Sequence, residues 1–211
     1  MKNAFDRSKH VYKNDQFDEL IKDAVRFFNG TPVHTLPTPA SFSGTGVYAL
    51  YYTGKTAPYK TYGELNRLAY NIPIYVGKAV PRGWRQARTS DSAAVQSNEL
   101  HSRLREHSRN IGLVDGLDLE DFMCRFVIFE DTASDMIGTV EAKLIKIHRP
   151  LWNVALDGFG NHDPGSGRYE QAQSDWDVIH PGRLWAHKCM GKATQKEVIL
   201  RSIQEHLKSL G

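Results

Sequence analysis

Cysteine is almost missing from this sequence: of 211 residues only Cys124 and Cys189 are cysteines, and neither has a second cysteine at metal-ligand spacing. A disulfide scaffold and a cysteine-based zinc site are therefore not expected, and the two thiols are read as reduced. Long apolar stretches are missing too. No uninterrupted run reaches the roughly 18 residues that a membrane span needs, and the opening Met1-Lys2-Asn3-Ala4-Phe5-Asp6-Arg7 has no signal-peptide core. A soluble, cytoplasmic protein with no membrane partner is the expectation. There is no internal repeat and no low-complexity tract, and the net charge of +3 by itself says little about partners. The distribution of charge says more. From Lys78 to Arg109 seven Lys or Arg (Lys78, Arg82, Arg85, Arg88, Arg103, Arg105, Arg109) face three acids, a local excess larger than that of the whole chain. Such a stretch suits a phosphate backbone, and equally a solvated basic face.

What is present suffices for a core. Hydrophobic residues make up 40% of the chain, and its length fits one domain with extensions better than two domains. Phe17, Leu20, Ile21, Ala24, Val25 and Phe28 stand at helical spacing between Asp15, a candidate N-cap, and Gly30. A Pro-rich connector leads to a strand over Gly46–Tyr52, and a second short strand covers Ile74–Gly77. A helical turn is expected around Tyr62–Leu68 in the insert between them. Asn98–Ile111 reads as a helix carrying Arg103 and His107 on one face. The near-continuous apolar run Phe122–Phe129 predicts a central strand buried on both faces. Ser134–His148 returns to helical period and stops before Pro150; Asp157–Gly167 is loop, and a last helix runs from about Thr194 to Leu210. The expected class is α+β, a small mixed sheet with helices around it.

Among the residues that could carry chemistry, Glu141 is the most informative. Ile137, Val140 and Leu144 surround it on the helix, so its carboxylate sits on or beside an apolar stripe. A carboxylate there needs a partner. Two are open: a cation from a neighbouring helix, or a hard divalent ion such as Mg²⁺, which takes few carboxylates and keeps waters and substrate phosphate. Arg103 and His107 suit a phosphodiester site, and suit an exposed helix face equally well. Tyr48 and Tyr75 read either as core aromatics or as phenols that a nearby cation could help to activate water.

These residues, taken in order, resemble a family. Gly46-Val47-Tyr48 on one strand, Tyr75-Val76-Gly77 on the next, an Arg on the following helix, a Glu on the helix after it and an Asn soon past its end are similar to the GIY-YIG nuclease superfamily. Each tripeptide differs from the name by one Ile-to-Val change, and the insert between them is longer than is usual there. The resemblance implies that Tyr48 activates or positions the attacking water, with Tyr75 beside the scissile phosphate. It further implies that Arg103 binds that phosphate and that His107 orients or moves a proton. Glu141 becomes the single carboxylate ligand of one Mg²⁺, for which Mn²⁺ can stand in, and Asn153 closes the site. Lys78 is a further phosphate contact. The implied catalytic core covers about 44–155, with an N-terminal helical extension over about 1–43 and a C-terminal one over about 156–211.

The wider layout, with Tyr75-Val76-Gly77-Lys78-Ala79-Val80-Pro81 and Asp157-Gly158-Phe159-Gly160-Asn161, resembles type II restriction endonucleases of this fold that cut a CCGCGG-type palindrome in double-stranded DNA. One site per chain and two strands to cut imply a homodimer or a higher homo-oligomer. Arginine can bond both O6 and N7 of guanine, which makes Arg82, Arg85, Arg88, Arg168 and Arg183 the candidate DNA contacts. Two alternatives remain: a homing or repair nuclease that nicks one strand, and a DNA-binding protein of this fold without cleavage.

Overall fold

Aromatic and β-branched side chains at successive positions, which favour an extended and well-covered backbone, make Thr45–Tyr52 (β2) the strand around which the molecule is assembled. The computed structural model describes residues 5–81, 83–84 and 97–210. β2 pairs on one side with Tyr75–Ala79 (β3), Tyr48 standing opposite Gly77, and on the other with Phe122–Phe129 (β4), Tyr48 standing opposite Phe126. The three-residue strand Val33–Thr35 (β1), which lacks any distinctive sequence pattern, adds outside β4. The order is β1-β4-β2-β3.

All of these pairings are antiparallel. The α+β class is therefore present, with an antiparallel sheet where a mixed one was expected. The connection from β2 to β3 explains the first pairing: it holds only the short helix Lys60–Asn66 (α2) and returns the chain alongside itself, whereas a parallel neighbour requires a crossover over one face. β4 is an interior strand as expected, but the strand buried at all eight positions is β2; Met123, Arg125, Phe126 and Ile128 of β4 stay partly open.

The two-residue period of β2 assigns the layers. Tyr48, Leu50 and Tyr52 face a large cluster with Leu100, Leu104 and Ile111 of helix Glu99–Gly112 (α3), with Trp152, Phe159 and Trp176, and with Ile199 and Ile203 further along. Val47, Ala49 and Tyr51 face Val25 and Phe28 of Asp15–Gly30 (α1) and Ile137, Val140 and Leu144 of Ile137–His148 (α4). Asn14, not Asp15, caps α1, accepting from the Gln16 N–H at 2.9 Å. The stripe that α1 buries is Ile21, Val25 and Phe28, which leaves Phe17 and Leu20 outside.

α4 ends at Arg149, whose φ of 44° is left-handed, just before Pro150. The short turn Leu151–Val154 (α5) follows, then helices Asp175–Ile179 (α6) and Lys196–Lys208 (α7). α6 escapes the periodicity because it spans five residues; its start is fixed by Ser174, whose side chain accepts from the Asp177 N–H. No helix among the described residues is long and apolar enough to cross a membrane.

Candidate active site

Two glycines open the space in which the site is built. A β-carbon at Gly77 would collide with the Tyr48 hydroxyl across the β2–β3 pair, and one at Gly160 would collide with the Tyr75 hydroxyl. In the space so left, Tyr48 Oη lies 2.6 Å from His107 Nε2, and both residues are fully buried. The rings of Tyr48 and Tyr75 are 6.2 Å apart, and Tyr75 stands edge-on to His107 at 5.4 Å. His107 also stacks on Phe159 at 4.5 Å. The helix face bearing His107 is thus turned inward, toward the sheet.

Burial pushes the Tyr48 phenol well above its ordinary value; the neighbouring Tyr75 adds to this and the Arg103 guanidinium opposes it. Tyr75 is raised by burial as well, again against Arg103. Arg103 is the cation that favours the phenolate at both tyrosines, and burial is the larger, opposing effect. Burial, reinforced by Arg103, pushes His107 well below its ordinary value. The imidazole is neutral, and its Nδ1 has no hydrogen-bond partner among the described residues. A neutral ring has one donor and one acceptor nitrogen, so His107 can take the Tyr48 proton on Nε2.

Arg103, one turn before His107, reaches over this pair. Its Nη2 donates to the Gly160 carbonyl at 2.5 Å, and its Nη1 to Glu106 Oε2 at 2.6 Å. His162 Nε2 lies 2.8 Å from the same Nη1, and His162 Nδ1 lies 2.8 Å from Glu106 Oε1. Arg103, Glu106, His162 and Lys78 line one cleft of about 360 Å³. Glu106 and His162 were missed in the sequence. For Glu106 the i, i+3 spacing to Arg103 was a usable signal; for His162, 59 residues away, there was none.

Glu141 bonds the ammonium of Lys78, its side chain 18% exposed. The carboxylate has thus found a cation, from strand β3 and not from a neighbouring helix. Glu141 is the hard-oxygen side chain here that could hold a divalent ion, in place of the Lys78 ammonium. No cluster of three or more His, Cys, Asp or Glu suited to a metal occurs among the described residues. A lone carboxylate can hold Mg²⁺ only with waters and phosphate completing the shell.

Asn153 lies beside the Tyr75-Val76-Gly77 strand. Its side-chain amide donates to the Val76 carbonyl and accepts from the Val76 N–H, both at 2.8 Å. Those groups belong to the outer edge of β3, which would otherwise stand open. Asn153 therefore fixes the strand between Tyr75 and Gly77.

Arg183 is corrected outright as a DNA contact. Its side chain is 1% exposed and grips Asp177 with both Nε and Nη2, at 2.7 and 2.8 Å. Its remaining donors go to the carbonyls of Gly158, Phe159 and Asn161. Nothing is left to offer a base. Arg168 is exposed in the turn Ser166–Arg168. Arg82, Arg85 and Arg88 lie outside the described residues.

A search of curated proteins finds no significant match. The family model described as the Eco29kI GIY-YIG domain matches residues 40–207, which takes in both tyrosine strands, Arg103, His107, Glu141 and Asn153. With that span covering most of the chain, the protein belongs to the Eco29kI GIY-YIG family of restriction endonucleases, and is a nuclease acting on DNA.

Proposed function

We propose that the protein is a type II restriction endonuclease. In this reading it hydrolyses phosphodiester bonds of double-stranded DNA at a short GC-rich palindrome of the CCGCGG type, depends on Mg²⁺, and works as a homodimer or higher homo-oligomer in the cytoplasm. The observation that carries the reading is the meeting at the β3 edge of the sheet of the Arg103 fork, beside the buried Tyr48–His107 pair at 2.6 Å on one face, with Lys78, which pairs with Glu141 from the other face and lines the same cleft as Arg103. The catalytic core is read as about 44–155, extended at both ends.

The proton path follows from the burial. A phenolate is disfavoured at Tyr48, so Tyr48 can accept a proton from the attacking water only while passing its own to His107 Nε2. His107 is suited to receive it, being neutral. Arg103 faces the phosphate on which negative charge develops. Tyr75 and the β3 backbone, held by Asn153, set the opposite wall. Glu141 would hold the Mg²⁺, with Lys78 released to phosphate. When bound, the ion supplies positive charge for the phosphoryl and departing 3′ oxygens.

The test is incubation with a plasmid carrying one CCGCGG site, with Mg²⁺ or with EDTA, and mapping of the ends. Discrete double-strand cuts at that site, only with Mg²⁺, are expected. Glu141→Ala should abolish them while leaving folding and DNA binding in EDTA intact. Cuts elsewhere replace the sequence assignment, nicks favour a homing or repair role, and an intact plasmid replaces the enzyme with a binding protein.

A further inference from the structure

His162 stands outside the motif pattern, yet it completes a closed set of contacts around the residue best placed to meet phosphate. Its Nε2 is 2.8 Å from Arg103 Nη1, its Nδ1 is 2.8 Å from Glu106 Oε1, and Glu106 Oε2 is 2.6 Å from that same Nη1. Arg103 Nη1 is also 3.2 Å from His162 Nδ1, so the ring meets Arg103 through both nitrogens and Glu106 through Nδ1. Arg103, Glu106 and His162 form a triangle in which fixing two members fixes the third.

The triangle is anchored at both corners that matter. Glu106 is on α3, one turn from Arg103. His162 follows directly on a loop segment whose Gly158, Phe159 and Asn161 carbonyls are held from beneath by buried Arg183. The side chain of His162 is 65% exposed, while that of Arg103 is 14% exposed, so the imidazole is the solvent-facing member of their contact. An i, i+3 pair on one helix holds a long side chain only weakly. A contact from a second, independently fixed element removes that freedom.

Resting on the nuclease reading of this cleft, we propose that His162 is a positioning residue of the cleavage reaction. It holds the Nη1 edge of Arg103 so that the rest of the fork stays aimed at the phosphate beside Tyr48 and Tyr75. The test uses His162→Ala and His162→Gln, since a glutamine amide keeps one donor for Glu106 and one acceptor for Arg103. Nitrogen-15 NMR of the Arg103 side chain, assigned with Arg103→Lys, requires neither DNA nor cleavage. Distinct Nη signals are expected for the wild type and His162→Gln, and merged signals for His162→Ala.

Single-turnover cleavage with Mg²⁺ is then compared with DNA affinity in EDTA. For His162→Ala a rate loss of about tenfold to a hundredfold is expected, with affinity within about twofold and most of the rate recovered in His162→Gln. Unchanged Arg103 signals in His162→Ala overturn the proposal, whatever the cleavage. So do a wild-type rate in His162→Ala, a parallel loss of affinity and rate, or a His162→Gln variant as slow as His162→Ala. A wild-type protein inert on DNA, with Arg103 signals that still merge in His162→Ala, defeats the nuclease reading and leaves the hold on Arg103 standing.

Discussion

Two arginines grip the same glycine-rich loop from opposite sides, and they do different work. Arg103 donates to the carbonyl of Gly160, Arg183 to those of Gly158, Phe159 and Asn161. Arg183 and its partner Asp177 are each 1% exposed, with the indoles of Trp176 and Trp185 each 4.8 Å from the guanidinium. Arg103 is paired with a 27% exposed Glu106, has phenols behind it and opens onto the cleft. Charge and residue type do not separate the two; the destination of each N–H does. A fork whose donors are all answered inside the protein is a clamp, and a fork that lines a cleft with three of its donors answered can receive a substrate.

The largest expected effect breaks this comparison on the clamp side. Arg183→Ala leaves the Asp177 carboxylate buried without its cation and three carbonyls without donors, a loss of about 3–5 kcal/mol by the general behaviour of broken buried pairs. Thermal or urea unfolding checks it. Normal stability together with weakened DNA binding would return Arg183 to the role of a DNA contact. On the cleft side the balance reverses. Arg103→Ala should lower the cleavage rate by about 10²–10³-fold, while its unfolding free energy falls by only about 1 kcal/mol, as for a partly exposed pair. Plasmid cleavage and melting of the same preparations test both halves, and a melt as damaged as that of Arg183→Ala would make Arg103 a second clamp.

The same contrast explains what could be read from the sequence. Tyr48, Tyr75, Arg103 and Glu141 were legible because strand and helix periods, with the order of the motif, decide where each points. The two tripeptide glycines carried a further signal: Gly77 makes room for the Tyr48 hydroxyl. Arg183 was misread because its fate depends on Asp177 and on a loop 22 to 25 residues earlier, contacts that no local period encodes. His162 was invisible for the same reason. Asn153 was found at the right place in the chain, but its role came from an unpaired strand edge, which appears only when the sheet order is known. The antiparallel pairing of the sheet likewise depended on how the insert returns the chain.

The smallest expected effect sharpens the comparison through pH, because each end of the loop packs against a buried histidine. His107 stacks on Phe159 near Arg103, and His180 lies 5.0 Å from Trp176 near Arg183; each is 2.6 Å from a tyrosine hydroxyl, that of Tyr48 and of Tyr59. Burial, with a contribution from Lys196, pulls His180 down to about 4. Its folded value therefore lies below its unfolded one, near 6.5, and between the two the unfolded chain binds the extra proton. The stability contributed by the neutral ring is fully present above about pH 6.5, is lost as pH falls, and stops declining on this account near pH 4. The slope is roughly 1 kcal/mol per pH unit for one such histidine. His180→Gln keeps a polar partner for Tyr59 but does not titrate, so urea unfolding across that range should show a shallower decline for the variant by that amount. The decline that persists belongs to groups such as His107, which burial and Arg103 also hold below its ordinary value. Identical slopes with and without His180 would mean that its ring charges freely in the folded protein, and the clamp end of the loop would then be more open than its burial implies.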